Sequence, residues 1–153
     1  MPRKRPVTKS GRPRARKGVK LKPTELGPTQ LRLEVPSDDV QALARQVEED
    51  GGAVLAAYRE PLGGHALLFA ALPVDKVEPT PFQRDVSDAH VLKLTRAMDK
   101  TRRYLDPIIA VREDGMYRTP NGGHRLTALK ELGAKAVLAL LVPERDEIGR
   151  AHV

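Results

Sequence analysis

The 153-residue chain contains no cysteine and no tryptophan, and aromatic residues make up only 3% of it. Without cysteine there is no disulfide, no thiolate nucleophile and no cysteine-ligated zinc. Such a composition suits a reducing compartment, and a cytoplasmic protein is expected. With so few aromatic rings, a stacking platform for single-stranded nucleic acid is excluded. No apolar run reaches the roughly 20 residues of a membrane-spanning helix. The longest, Ala66 to Val74, is a buried-strand candidate. The start of the chain lacks the apolar stretch of a signal peptide, so neither secretion nor a membrane partner is expected. Acidic residues are also missing from positions 1–22, which hold ten lysines and arginines. The rest of the chain carries the other 17 basic residues and all 20 acidic ones, a net of −3. The formal charge of +7 therefore belongs to a tail, and the bulk charge of the folded part does not imply a DNA-binding face.

Residues 1–23 are rich in proline, glycine and arginine and nearly free of large apolar residues, which predicts a disordered basic tail. Arg3, Lys4, Arg5, Arg12, Arg14, Arg16 and Lys17 are its candidate tether to the DNA backbone, a salt-dependent contact. A solvated leader that aids solubility explains the same composition equally well. Residues 24–71 read as an N-terminal extension: a short strand at Leu31 to Val35, a helix capped by Ser37 with Val40, Leu43, Ala44 and Val47 inward, and a hairpin of Ala53 to Tyr58 and His65 to Ala71. Residues 72–146 read as the principal domain. Pro73 to Arg84 is a strand fragment followed by a proline-rich loop. Ser87 or Asp88 opens a helix with Val91, Leu92, Leu94, Thr95 and Met98 placed for burial. Ile108 to Val111 and Met116 to Thr119 are strands around the turn Glu113-Asp114-Gly115. A third helix runs from about His124 to Leu132 and stops at Gly133, and Ala136 to Val142 is the last strand. The closing residues 147–153, Glu-Ile-Gly-Arg-Ala-His-Val, match the translation of a widely used sequencing adaptor. They are read as non-native, with the natural protein expected to continue past about Asp146.

The most informative stretch is Thr119-Pro120-Asn121-Gly122-Gly123-His124-Arg125-Leu126. A strand runs into paired glycines and then into a helix that opens with His and Arg. Glycines leave backbone N–H groups uncovered, and a helix start adds unpaired N–H groups and partial positive charge. A cation at the same point suits phosphate. Arg125 is the strongest candidate, against the plainer reading that it pairs with a carboxylate such as Glu131 or Asp85. His124 can donate to phosphate or act as an acid–base group, against local hydrogen bonding at the helix start. Asn121, Gly122 and Gly123 complete the loop, and Gln83 and Arg84 are a candidate second wall. His65 and His90 are read as structural or exposed, and His152 falls in the non-native tail. Lys100, Arg102 and Arg103, with Thr101 and Tyr104, form a basic cluster open to two readings, a contact with nucleic acid or the nucleotide and a helix C-terminus that welcomes cations, of which the second is preferred.

The region from about Leu72 to Val142 resembles the N-terminal domain of the ParB/sulfiredoxin superfamily. Val74-Asp75-Lys76-Val77 followed by Pro79, Pro81, Phe82, Gln83 and Arg84 resembles the family's first box. The helix from Asp88 to Lys100 resembles the segment after it. Asp106-Pro107-Ile108-Ile109 resembles the Pro-Ile-x-Val strand, and Gly122-Gly123-His124-Arg125-Leu126-Thr127-Ala128 resembles the Gly-Glu-Arg-Arg-x-x-Ala box. The resemblance implies a mixed α/β (α+β) fold, a small mixed sheet flanked by helices. It also implies a nucleotide or phosphate site between the two boxes, at Gln83, Arg84 and Asn121 to Arg125. In ParB proteins such a site takes CTP with magnesium and gates a DNA clamp, whereas sulfiredoxin binds ATP. The expectation is accordingly a bacterial, nucleoid-associated protein that binds a nucleoside triphosphate, CTP ahead of ATP, with Mg2+, and has DNA and a second copy of the chain as partners. A slow triphosphatase activity is compatible with this. The alternatives are a ParB-like nuclease or NTPase, and a non-catalytic adaptor with a vestigial pocket. The chain departs from the family pattern at Gly123 and His124, where ParB has an acid and an arginine. Gly123 also stands where sulfiredoxin has its cysteine, so sulfinic acid reduction is excluded on chemistry.

Overall fold

The computed structural model describes residues 25–80 and 87–143. The tail residues Arg3 to Lys17, the wall residues Gln83 and Arg84, and the closing heptapeptide lie outside the described residues. Within them the chain has a mixed α/β fold in which one six-stranded sheet carries three helices. The strands are β1 (Ala53–Arg59), β2 (Ala66–Pro73), β3 (Val77–Pro79), β4 (Ile108–Glu113), β5 (Met116–Thr119) and β6 (Ala136–Leu141). The helices are α1 (Asp38–Glu49), α2 (Asp88–Thr101) and α3 (Gly123–Glu131). The sheet order is β1-β2-β6-β4-β5-β3. β1 with β2, β2 with β6 and β4 with β5 run antiparallel, whereas β4 with β6 and β3 with β5 run parallel. A parallel partner needs a crossover. The chain from β5 through α3 to β6 supplies the one that lays β6 beside β4.

Burial alternates along the central strands with the period of two that a pleated sheet imposes. Leu68, Ala70 and Leu72 of β2, Val137, Ala139 and Leu141 of β6, and Ile108 and Ala110 of β4 are buried, while the residues between them are half-buried. Val40, Leu43 and Val47 of α1 and Leu126 and Leu129 of α3 join the same core. The β4–β5 turn places Asp114 (φ 55°) and Gly115 (φ 78°) in the left-handed region, as a two-residue hairpin turn of this hand demands. α3 stops as its sequence predicts, with Gly133 at φ 79° and Ala134 N–H reaching the Leu129 carbonyl at 2.9 Å.

Two expectations are corrected. Leu31 to Val35 is not a strand. Pro28–Leu31 forms a 3₁₀ turn, opened by proline and closed by the Gln30 side chain on Gly27 N–H (2.7 Å), and only Arg32 makes a bridge, to Tyr58. Leu92 is 49% exposed rather than buried. It sits one step, about 100°, around the helix from Val91, outside the arc that Val91, Leu94, Thr95 and Met98 turn inward.

The β1–β2 turn is organised by one carboxylate. Glu60 accepts from the backbone N–H groups of Leu62 (2.7 Å), Gly63 (3.0 Å) and His65 (2.9 Å), and lies 2.6 Å from His65 Nδ1. These donors, the His65 N–H foremost, hold its pKa near 2, against an ordinary 4.5. Because the folded pKa is the lower one, the turn's stabilisation is present above pH 4.5 and is lost as pH falls through about 2. Replacing Glu60 with Gln is expected to lower the melting temperature at pH 6 and to remove this contribution to acid sensitivity. Thermal unfolding of both proteins between pH 6 and pH 2 measures it.

Candidate functional site

α3 begins immediately after β5, and its first turn is where the paired glycines fall. The first i→i−4 bond of the helix runs from Leu126 N–H to the Gly122 carbonyl at 2.9 Å. The N–H groups of His124 and Arg125 therefore precede the helical ladder. α1 and α2 each carry acidic residues in the first turn, Asp38 and Asp39 in one and Asp88 in the other; α3 carries none. Its N-terminal partial charge is reinforced by Arg125 rather than offset.

Gly122 has a structural role. A Cβ there would run into Ile108 Cγ2 and stand 2.8 Å from Thr119 Oγ1. The missing side chain lets the start of α3 lie directly on β4. Gly122→Ala is expected to cost about 2 kcal/mol, the usual penalty for overpacking a tight contact, read by urea denaturation. Asn121 braces the same corner. Its Oδ1 accepts from Ile109 N–H and from Thr119 Oγ1, both at 3.2 Å. The side chain's remaining groups are the two amide N–H donors.

His124 reaches across to the start of α2. Its Nε2 accepts from Ser87 N–H at 3.0 Å, which makes Nε2 the unprotonated nitrogen and leaves Nδ1–H as the donor. The His90 ring meets it edge to face, centroids 5.1 Å apart. Ser87 caps α2 by accepting from His90 N–H at 3.4 Å. One serine thus joins the two helix starts.

Arg125 pairs neither with Glu131 nor, among the described residues, with any carboxylate in hydrogen-bonding contact. Asp85, the other partner the sequence offered, lies outside the described residues, and the nearest acid among the described residues is Asp106, at 3.5 Å and 72% exposed. A loose, exposed ion pair of this kind is worth little, so the guanidinium is available to another anion. It lines a cavity of about 410 Å³ together with Asn121 and His124 and with His90, Lys93, Leu94 and Ala97 of α2. Among the described residues no carboxylate lines it.

The structure therefore brings Asn121, His124 and Arg125 to one cavity and adds His90 and Lys93, which the sequence reading left out. The signal was spacing: residues 90, 93, 94 and 97 fall at i, i+3, i+4 and i+7 and make one face of α2. Lys100 and Arg102 belong to the C-terminus of α2. Arg102 is its left-handed cap and pairs with Asp99 at 2.5 Å. Among the described residues no group of three or more His, Asp or Glu could hold a metal. These residues do not fit a magnesium ion ligated by the protein.

No protein-family model matches the chain, and no match is found among curated proteins. Solved structures are similar over part of it. Sulfiredoxin from Arabidopsis thaliana shares 24% identity over 55% of this chain and 94% of its own, with a TM-score of 0.45. The C-terminally truncated chromosome-partitioning protein ParB from Caulobacter crescentus, complexed with CTP-gamma-S, shares 22% over 53% of this chain, with a TM-score of 0.45. A free serine kinase in complex with AMP shares 18% over 48% of this chain, with a TM-score of 0.44. The match spans 47% of the ParB chain and 30% of the kinase chain. No described helix is long and apolar enough to cross a membrane.

Proposed function

We propose that the opening turn of α3 and the facing side of α2 form a binding site for the phosphates of a nucleoside triphosphate. The observation that carries this reading is the cavity in which Arg125, His124 and Asn121 face His90 and Lys93 with no acid among its described lining residues. Its volume falls in the usual range for ligand sites, about 300–1,000 Å³. Arg125 and Lys93 supply charge, the first-turn N–H groups of α3 supply fixed donors, and Asn121 supplies an amide oriented by its own hydrogen bonds. The resemblance to ParB favours CTP over ATP. Magnesium, where present, is expected to be carried mainly by the ligand's own phosphates.

In this reading residues 72–146 are the nucleotide-binding unit and the basic tail holds DNA without sequence preference, so that DNA affinity falls steeply with salt. Nucleotide occupancy biases the α2–α3 pair, which a dimer interface or a DNA contact then senses. Isothermal titration with CTP, ATP, GTP and UTP tests the site. Saturable binding of at least one supports it, and heat of dilution alone from all four contradicts it. The nuclease alternative needs a general base or a metal. His124 Nε2 is already engaged by Ser87 N–H, and the described residues that line the cavity include no carboxylate. Binding is therefore preferred to phosphodiester cleavage, and a plasmid-nicking assay with magnesium separates the two.

A further inference from the structure

A second cavity, of about 580 Å³, shares no lining residue with the phosphate cavity. Its walls are apolar, with Leu67 of β2, Ile109 of β4, Leu140 of β6 and Val142 just past it. Its charge is negative: Asp39 of α1 and Glu60 of the β1–β2 turn line it, and no described lysine or arginine does. Glu60 stays ionised at any physiological pH, because its pKa lies near 2. Leu62, in the same turn, also lines the cavity and is 79% exposed. The charge is the reverse of that at the start of α3. The occupant that fits is apolar and cationic together.

The chain carries such a segment, and it joins the fold beside the cavity. Positions 1–22 hold ten lysines and arginines and no acid. Near their end, Val19-Lys20-Leu21-Lys22 alternates two large apolar residues with two lysines. The described residues that follow lead to the β1–β2 turn. Arg32 bridges to Tyr58 of β1, and a Cβ at Gly64 would stand 3.1 Å from Leu26 Cδ1. Leu26 is therefore beside the turn whose residues Glu60, Leu62 and Gly63 line the cavity. Leu21 precedes it by five residues, a reach of up to about 17 Å.

We propose that the occupant is the protein's own tail: Val19 and Leu21 dock on the apolar wall of this cavity, with Lys20 and Lys22 beside Asp39 and Glu60. Docking takes the two apolar side chains out of water. The lysine stems lie along the wall while their ammonium groups meet the acids at its rim. Exposed ion pairs are weak one by one, so the docked tail is exchangeable. A polyanion such as DNA competes for the same lysines and releases it. None of these residues belongs to the phosphate site, so either assignment can fail without the other.

The absence of cysteine makes the test direct. Gly18→Cys in the full chain takes a single nitroxide label next to Val19, and the broadening of backbone amide signals reports what the label approaches. The expected result is strong broadening at Leu62, Gly63, His65 and Leu67, with the amides of β5 unaffected. Leu21→Asp in the labelled chain, and separately Asp39→Lys, removes most of the broadening, and excess duplex DNA abolishes it. In a mixture of labelled chain with isotope-enriched chain that bears no label, the enriched chain stays sharp. No broadening at the turn, or broadening that survives Leu21→Asp, Asp39→Lys or excess DNA, overturns the proposal. So does broadening across the mixture, which would assign the cavity to the tail of a second copy.

Discussion

Replacing Arg125 with alanine is expected to weaken nucleoside triphosphate binding by roughly 10- to 150-fold, the loss of one charge-assisted contact to phosphate, while the protein stays folded. Both halves of this expectation come from the same geometry. The guanidinium is 31% exposed, and its nearest acid among the described residues is a carboxylate 3.5 Å away that is itself 72% exposed. Removing a loose surface pair of this type changes stability by less than about 1 kcal/mol. The side chain is costlier to the helix than to the core, because a cation in the first turn opposes the dipole. Alanine at this position is therefore neutral or slightly stabilising. A structural arginine would give the opposite pattern, with a lowered melting temperature and unchanged ligand affinity. Calorimetric titration and thermal unfolding on the same sample distinguish the two.

The second large effect concerns stability. Asp50, just past the end of α1, accepts from Arg112 Nε at 2.8 Å and from the Tyr117 hydroxyl at 2.6 Å, and Arg112 Nη2 reaches its other oxygen at 3.3 Å. Tyr117 is fully buried, and the Asp50 side chain is only 11% exposed. The end of α1 is tied at this point to the β4–β5 hairpin, more than 60 residues further along the chain. Asp50→Ala leaves a largely buried guanidinium and phenol without their acceptor, at an expected cost of about 3 kcal/mol. Tyr117→Phe, which removes one donor and keeps the ring, should cost only about 1 kcal/mol. The Arg112 hydrogen bond holds the Asp50 carboxyl below its ordinary 3.8 against the opposing effect of burial. A depressed folded pKa means that the stabilisation is complete above pH 3.8 and fades as pH drops through the lower folded value. Asp50→Asn should flatten stability against pH in that range. Urea denaturation of the three variants at pH 6 and pH 3 provides the measurement, and equal costs for Asp50→Ala and Tyr117→Phe would contradict the assigned geometry.

Local chemistry was legible in the sequence because it is written in neighbouring residues. Glu113-Asp114-Gly115 specified a tight turn, Gly133 a helix stop, and the alternating apolar residues of β2 and β6 a buried face. The paired glycines announced a strand-to-helix corner, although Gly122 serves contact with Ile108 and Thr119 as a structural element in its own right. What depends on the third dimension was not legible. His90 and Lys93 join Arg125 across the space between two helices, from more than 30 positions away. Among the described residues the acid nearest Arg125 is Asp106, not Glu131, which lies at the far end of α3. Asp50 meets the cross-strand pair Arg112 and Tyr117 over separations of more than 60 residues, and nothing in its local sequence foretells it. The expected strand at Leu31 to Val35 failed because alternating apolar residues were read without the proline and glycine before them, which set a 3₁₀ turn instead.

The most direct test of the phosphate site is a backbone amide NMR titration of the whole chain with tripolyphosphate, a probe that carries no base. Binding at the start of α3 predicts saturable shifts at the amides of His124 and Arg125, with smaller shifts in α2 around His90 and Lys93 and the core strands unmoved. Shifts confined to other residues, or none at millimolar probe, would contradict a phosphate site at this corner.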